Sequence, residues 1–385
     1  MDGYGMQPLG QPTNRAQILR LLRDEAPLSR MDIAHRTALS STSVSRTVNK
    51  LIDDGVLTEG STFATNRPGR PAVGVAILDD AVFVVGVQVG VGFVRLGLMN
   101  AYGTTTDTDA FEYDPAMAPG DVIDQIGTAI KSLLEPVPSG KVAGVGVTVP
   151  GPVDADGRKL LLPLNLPWRD VPIADTLEPI VGVPVTIDHN VRSMALAEAR
   201  FGSGRGADSV AFVYLRTGLG AGLVVEGQPF AGGMRGAIAL GHVRVVEDGL
   251  PCVCGSRGCL ETIVSGPALA SAADRLDIAG DGDPLTRLWE AARTDPETVE
   301  VADEIIEHLA LALSTVVNLL NPELLLLGGS LAIAPDDFVA RLERGVRQAV
   351  FPLIRETVRI EPSDLGMDAG VAGGGTLALE RYFYD

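Results

Sequence analysis

Two glycine-rich segments of this 385-residue chain repeat one pattern: VVGVQVGVGFVRLGLMNAYG at 84–103 and FVYLRTGLGAGLVVEG at 212–227. Each reads as a strand, a tight turn and a second strand, because Val-rich runs favour the pleated conformation and glycine supplies the turn. A pair of like hairpins in one chain implies a duplicated fold with two lobes and a cleft between them. From residue 80 onward such strands alternate with helices, which is the pattern of an α/β domain. Between the two segments lie GVGVTVPGPVD (144–154), a strand ending in a Pro-Gly turn, and DHNVRSMALAEARFG (188–202), a helix start and its helix. A longer helix is expected over about 301–321, with Ile305, Ile306, Leu309, Leu313, Val316, Val317 and Leu320 inward, followed by the strand ELLLLGG. A last helix near GTLALERYF is expected to return to the first lobe, and the lobe boundary falls near 188–205.

The N-terminal part is of another kind. TNRAQILRLLRDEA predicts a helix capped by Thr13, with Ile18, Leu21, Leu22 and Ala26 on one face. A short helix follows Ser29, with Met31, Ile33 and Ala34 inward. SSTSVSRTVNKLIDDG predicts a third, with Val44, Val48, Leu51 and Ile52 inward and Gly55 closing it. Strands at 56–58 and 72–77, joined by TEGSTFATNRPGRP, complete a winged helix-turn-helix over 13–77, ahead of an α/β domain over 80–385. The third helix presents Thr42, Ser43, Ser45, Arg46 and Asn49, donors suited to phosphates and base edges in a major groove. Arg67 and Arg70 stand on a stiff loop that suits a minor groove. The plainer alternatives are a three-helix protein-interaction module and a solvated loop.

Charge agrees with that division. Residues 13–71 hold nine Arg/Lys against six Asp/Glu, a net of +3, whereas the whole chain carries −18 and the remainder therefore −21. Only the first segment is electrostatically suited to DNA. The first residues, MDGYGMQPLG, lack a basic region followed by an apolar run, and the longest apolar stretch, ELLLLGGSLAIA, is too short to span a bilayer. A cytoplasmic chain with no membrane partner is expected.

All three cysteines sit in PCVCGSRGCLE, as Cys252-x-Cys254-x4-Cys259. An odd, clustered set broken by glycines fits a metal better than a disulfide framework. Three thiolates leave one corner of a tetrahedral zinc site to fill, and of the four histidines His242, ten residues upstream, is placed to reach it. The expectation is a structural Zn²⁺ held by His242, Cys252, Cys254 and Cys259, closed to water; the alternative is a reduced, metal-free loop.

These residues together are similar to the ROK family of repressors, open reading frames and sugar kinases. The resemblance runs from residue 13 to the end, on GVTVPGPVD, NLPW at 165–168, DHNVRSMALAE, TGLGAG, GHVRV and CVCGSRGCLE. It implies an actin-like, two-lobed sugar-kinase fold, a sugar bound in the cleft and assembly as a homodimer or homotetramer. The leading winged helix resembles the repressor branch. Counted back from ALAE, the family's Asn-Asp-x-Asn falls on His189, Asn190 and Arg192, so the Asp that deprotonates the sugar hydroxyl is absent. An amide takes no proton at neutral pH, and a general base typically contributes about 10²- to 10⁴-fold. The first phosphate loop, Asp-x-Gly-Gly-Thr in kinases, is Gln88-Val89-Gly90-Val91-Gly92, and the second begins with Arg216. Of the implied sugar contacts, Ala239 stands in place of a Glu, while Asn165, His189, Asn190, His242 and Glu261 are the expected effector residues. Arg192 and Arg216 would suit a phosphorylated ligand unless paired with carboxylates. The resulting expectation is a repressor that binds operator DNA and responds to a sugar or sugar derivative. The alternative is an active sugar kinase with an accessory N-terminal domain.

Overall fold

The computed structural model describes residues 12–63, 72–230, 232 and 238–385. At the N-terminus α1 (Asn14–Glu25), α2 (Arg30–Thr37) and α3 (Ser41–Asp53) precede the antiparallel pair β1 (Leu57–Phe63) and β2 (Ala72–Ile77). Thr13, Ser29 and Ser40 each cap a helix, accepting a hydrogen bond from the backbone N–H three residues on. This is the predicted winged helix. Its details differ from the sequence pattern in two places. Met31 is exposed, since a residue two positions from buried Ile33 faces the other side of a helix. On α1 the buried residues are Ala16, Ile18, Leu19, Leu22 and Arg23, a face rotated from the predicted one toward the chain's C-terminal residues.

The first lobe comprises β3 (Phe83–Val89), β4 (Phe93–Asn100), β5 (Thr105–Glu112), α4 (Pro119–Leu134), β6 (Val142–Val149), α5 (Ile173–Val181) and β7 (Val185–His189). After α6 (Asn190–Phe201) come β8 (Ser209–Leu215), β9 (Leu219–Val225) and β10 (Gln228–Pro229). The second lobe continues with α7 (Glu261–Val264), α8 (Gly266–Arg275), α9 (Pro284–Ala291), α10 (Pro296–Leu320), β11 (Leu324–Gly329), α11 (Asp336–Ala349), α12 (Pro352–Arg355) and β12 (Arg359–Pro362). The chain ends in α13 (Ala369–Tyr382). The two sheets have one topology: β5-β4-β3-β6-β7 and β10-β9-β8-β11-β12, each an antiparallel hairpin followed by parallel strands. The duplication read from the two glycine-rich segments is thus a duplication of sheets. The long helix α10 begins five residues earlier than its apolar pattern, because Asp295 caps it and Pro296 occupies its first position.

Helix α13 fixes how the parts meet. It lies against β3 and β6 so closely that a Cβ on Gly146 would stand 1.9 Å from the Gly374 carbonyl oxygen, and one on Gly86 would stand 2.1 Å from that of Val371. Only glycine permits that approach. Its first turn packs against Gln88, whose side chain would lie 2.1 Å from a Cβ on Gly370, and the Thr148 hydroxyl donates to the Gly370 carbonyl at 3.2 Å. Its far end enters the N-terminal unit: Ala378, Leu379, Phe383 and Tyr384 share one apolar cluster with Ile18, Leu19, Leu22, Leu57, Val75 and Val84. Arg23 pairs with Glu380, which also accepts from Arg200 of α6 at 2.8 Å. The winged helix and first lobe therefore share a continuous core.

Candidate functional site

The ends of β3, β6, β7, β8 and β9 converge on an interlobe cleft of about 590 Å³. Its lining includes Gln88, Gly90, Phe93, Asn165, His189, Asn190, Arg216, Gly218, Ala239, His242 and Glu261. All five expected effector residues are brought together here, although they come from four separate stretches of chain. Glu261 opens the short helix α7, and its Oε2 accepts from the Leu219 N–H at 3.2 Å, which ties that carboxylate to the β8–β9 turn. Gly218 and Gly241 crowd the same carboxylate closely enough that a side chain on either would strike it.

The corner at Asn190 decides what chemistry the cleft supports. The Asn190 side-chain oxygen accepts from the Val191 N–H at 2.8 Å, so its amide N–H groups are the part left for a ligand. A carboxylate does lie two residues earlier, but Asp188 is buried, accepts from the His189 N–H at 2.8 Å, is ion-paired with Arg192, and does not line the cleft. The pairing removes Arg192 as a phosphate ligand, since its charge is already matched by Asp188. Among the described residues, none hydrogen-bonds the buried Nδ1 of His189. Burial, and then the Arg192 charge, hold its imidazole down to about 4, so it is neutral at pH 7.

On the phosphate side the turn after β3 is covered. The Gly90 N–H donates to the Phe93 carbonyl at 2.8 Å, and the Phe93 ring lies 2.2 Å from where a Cβ on Gly90 would be. An N–H engaged in this way is not offered to a nucleotide phosphate.

His242, Cys252, Cys254 and Cys259 gather at the rim, with their ligand atoms all within 4.8 Å of one another. Cys252 Sγ lies 3.5 Å from His242 Nδ1, and Cys254 Sγ lies 3.7 Å from Cys259 Sγ. A tetrahedral centre with ordinary zinc bond lengths has S–N and S–S edges of about 3.6 and 3.8 Å. The four residues therefore fit a metal ion. Burial pushes the Cys259 thiol up to about 12, whereas the Ser256 N–H lowers that of Cys254. Nδ1 is the imidazole nitrogen at the cluster, which leaves Nε2 for the cleft that His242 also lines.

On α3, Thr42, Arg46 and Asn49 are exposed and Ser43 and Ser45 are half-buried, all away from the buried Val44, Val48 and Leu51. The Ser43 hydroxyl accepts from Ser40 at 3.0 Å, and Arg30 holds Glu59 of β1 while reaching the Ser45 carbonyl. Arg67 and Arg70 lie outside the described residues. Among the described residues no helix is long and apolar enough to cross a membrane. Sequence reasoning missed Arg95, whose guanidinium shares the Phe93 ring with Arg216. Its position on β4 opposite Gln88 becomes meaningful only through strand register.

The signature of the ROK family matches residues 84–381, and that of a winged helix-turn-helix DNA-binding unit matches 13–58. The chain is 27% identical over 385 residues to the DNA-binding transcriptional repressor Mlc of Escherichia coli (strain K12), covering 96% of this chain and 94% of that protein. A solved ROK family transcriptional regulator, a homologue of the E. coli MLC protein, shares the fold with a TM-score of 0.81 and 24% identity over 96% of each chain. The ROK family glucokinase of Streptomyces griseus, solved with glucose and AMPPNP, gives 0.67 and 28% identity, covering 77% of this chain and 99% of that one. What that kinase leaves uncovered corresponds in size to the N-terminal winged helix. With the family signature extending across both lobes, this chain belongs to the ROK family.

Proposed function

We propose that the protein is a transcriptional repressor that binds operator DNA through α3 and senses a sugar or sugar derivative in the interlobe cleft. The observation that carries this reading is the core shared by α1, β2 and α13, because it joins a DNA-binding unit to a helix whose first turn packs against Gln88 of the cleft wall. Mlc, similar over nearly the whole chain, supports it. Thr42, Ser43, Ser45, Arg46 and Asn49 would meet the major groove, with Arg67 and Arg70 on the wing. A homodimer or homotetramer would place two such helices on a partly palindromic site, and ligand would change their spacing by binding one lobe arrangement better than the other.

In this reading the kinase-like domain has no catalytic role: Asn190 cannot act as a base, Asp188 is locked to Arg192, and Phe93 covers the first phosphate turn. His242, Asn165, Glu261, His189 and the Asn190 amide would hold sugar hydroxyls. Zn²⁺ would be held by His242 and the three cysteines. Four protein ligands leave no open position, so the ion would orient the imidazole and secure the 252–261 loop.

The kinase reading draws on the glucokinase relatives and on the position of His189 beside Asn190 in the cleft wall. The two separate cleanly. Footprinting on the DNA flanking the protein's own gene should show a protected site that Arg46→Ala removes, while ATP, magnesium and a sugar panel yield no ADP. Steady ADP release that is lost in His189→Ala would establish the kinase reading, and an unprotected flanking region would remove the repressor one.

A further inference from the structure

Helix α6 is wedged between the lobes. A Cβ on Gly373 of α13 would stand 3.0 Å from the Met194 nitrogen, and one on Gly222 of β9 would stand 2.7 Å from the Val191 carbonyl oxygen, so backbone meets backbone on both sides of it. The chain leaves the first sheet through α6 and residues 202–208 and returns from β12 to α13 through residues 363–368. These two crossings meet at one side chain. Glu198, near the end of α6, is fully buried. Its Oε2 accepts from the Ser203 N–H at 3.0 Å, on the first crossing, and its Oε1 accepts from the Ser363 hydroxyl and from the Leu365 N–H at 3.4 Å, on the second. The Ser203 hydroxyl completes the ring by accepting from the Asp364 N–H at 3.2 Å.

The three donors to Glu198 are neutral, and burial pushes its carboxyl above the ordinary range while they pull it back. Taking a carboxylate out of water is costly, and what a fully hydrogen-bonded polar network gives in exchange is one fixed arrangement of the segments it joins. Gly202 is shaped to it, since a Cβ there would stand 2.2 Å from Oε2. The same corner is fastened to the N-terminal unit. Arg205, on the first crossing, donates to the Asp24 carbonyl of α1 at 2.6 Å. Arg200, two residues after Glu198, donates to the Gly227 carbonyl of the second lobe at 2.5 Å and to Glu380 of α13 at 2.8 Å. The opposite end of α6 carries Asn190 in the cleft wall.

We propose that Glu198 is the positioning residue of an interlobe hinge: it ties the two crossings into one pivot, so that the lobes rotate about residues 202–204 and 363–365 together, and Arg205 carries that rotation to α1. The pivot stands on geometry alone, whereas its delivery to α1 deepens, and rests on, the repressor reading above.

The test uses the full chain, with spin labels attached to ketone-bearing residues introduced at Gln125 of α4 and Ser271 of α8, both exposed, which spares the cysteines. Double electron–electron resonance then reads the interlobe distance without ligand or DNA. In Glu198→Gln, whichever way the amide turns, the N–H of Ser203 or of Leu365 faces another N–H in place of an acceptor. The interlobe distance distribution should broaden, and amide exchange at these two positions should quicken by about ten-fold or more. Ser363→Ala removes one donor and keeps the carboxylate; it should broaden the distribution less, and it serves as the test if the first variant does not fold. An unchanged distribution in the folded variants, whatever the exchange rates, overturns the pivot, because a side chain that only secures a helix end would quicken exchange without freeing the lobes. On operator DNA located by footprinting, Glu198→Gln should weaken binding about five-fold or more in fluorescence anisotropy, and no further once Arg205→Ala is present. Effects that multiply independently reject delivery through Arg205. A chain that protects no DNA rejects the repressor reading, and the distance measurement still decides the pivot.

Discussion

Replacing Arg23 with alanine should loosen the N-terminal unit from the first lobe while leaving the second lobe intact. The residue is 6% exposed, donates to both Asp24 oxygens at 2.8 and 3.0 Å, pairs with Glu380, and lies 4.9 Å from the Tyr384 ring centre. Burial works against its charge, but the hydrogen bond to Asp24 and the fields of Glu380 and Asp24 outweigh it and hold the guanidinium above its ordinary pKa. Asp24 is half-exposed, so that pair contributes at most about 1 kcal/mol. The shielded bond to Glu380 contributes about 1.5 to 3 kcal/mol, and the contact with the Tyr384 ring about 1 kcal/mol. Two effects offset these: alanine escapes the desolvation of a buried cation, and Glu380 keeps Arg200, so no carboxylate is orphaned. The net loss is about 2 to 3 kcal/mol, which is roughly a 30- to 150-fold rise in local opening. Hydrogen exchange should therefore quicken by that factor in peptides from α1 and from residues 380–385, with β8 and β11 unchanged. Arg20→Ala, which breaks an exposed pair with Asp385, should cost under about 1 kcal/mol. Equal effects from the two substitutions, or faster exchange throughout both lobes, would refute the shared core.

Elemental analysis of the purified protein should find about one zinc per chain, and Cys259→Ser should lose it along with part of the thermal stability; full retention of the metal in that variant would contradict the ligand set. Because the native His189 resists protonation down to about pH 4 while the unfolded chain accepts a proton near 6.5, its contribution is full above 6.5 and falls as pH drops through that window. The unfolding free energy from urea titrations across it should decline by up to about 3 kcal/mol, and His189→Asn should flatten that decline. Gly146→Ala would force a methyl onto the Gly374 carbonyl and should destabilise the first lobe by about 3 kcal/mol or more in urea unfolding, whereas Gly120→Ala, with open space around it, should not.

The winged helix was legible in the sequence because caps, helical apolar spacing and a basic tip are local signals. So were the duplicated hairpins and the Cys/His cluster, where four residues of compatible chemistry fall within eighteen positions. Burial of Leu19 and Arg23 was not, since the segment that covers them lies more than 350 residues away in sequence. The same is true of Arg95, which is an ordinary strand residue until Phe93 and Arg216 are placed beside it. Asn190 is legible as a polar residue at a helix start; only the fold shows that the nearby Asp188 is committed to Arg192.

The most direct measurement is reciprocal linkage between the two ends of α13. Fluorescence anisotropy gives the operator Kd with and without a saturating cleft ligand, chosen by thermal shift from sugars and sugar phosphates, and calorimetry gives that ligand's Kd with and without operator. A cleft that governs DNA binding requires both ratios to differ from one by the same factor, typically 5- to 150-fold. A ligand that occupies the cleft yet leaves operator affinity unchanged would contradict it.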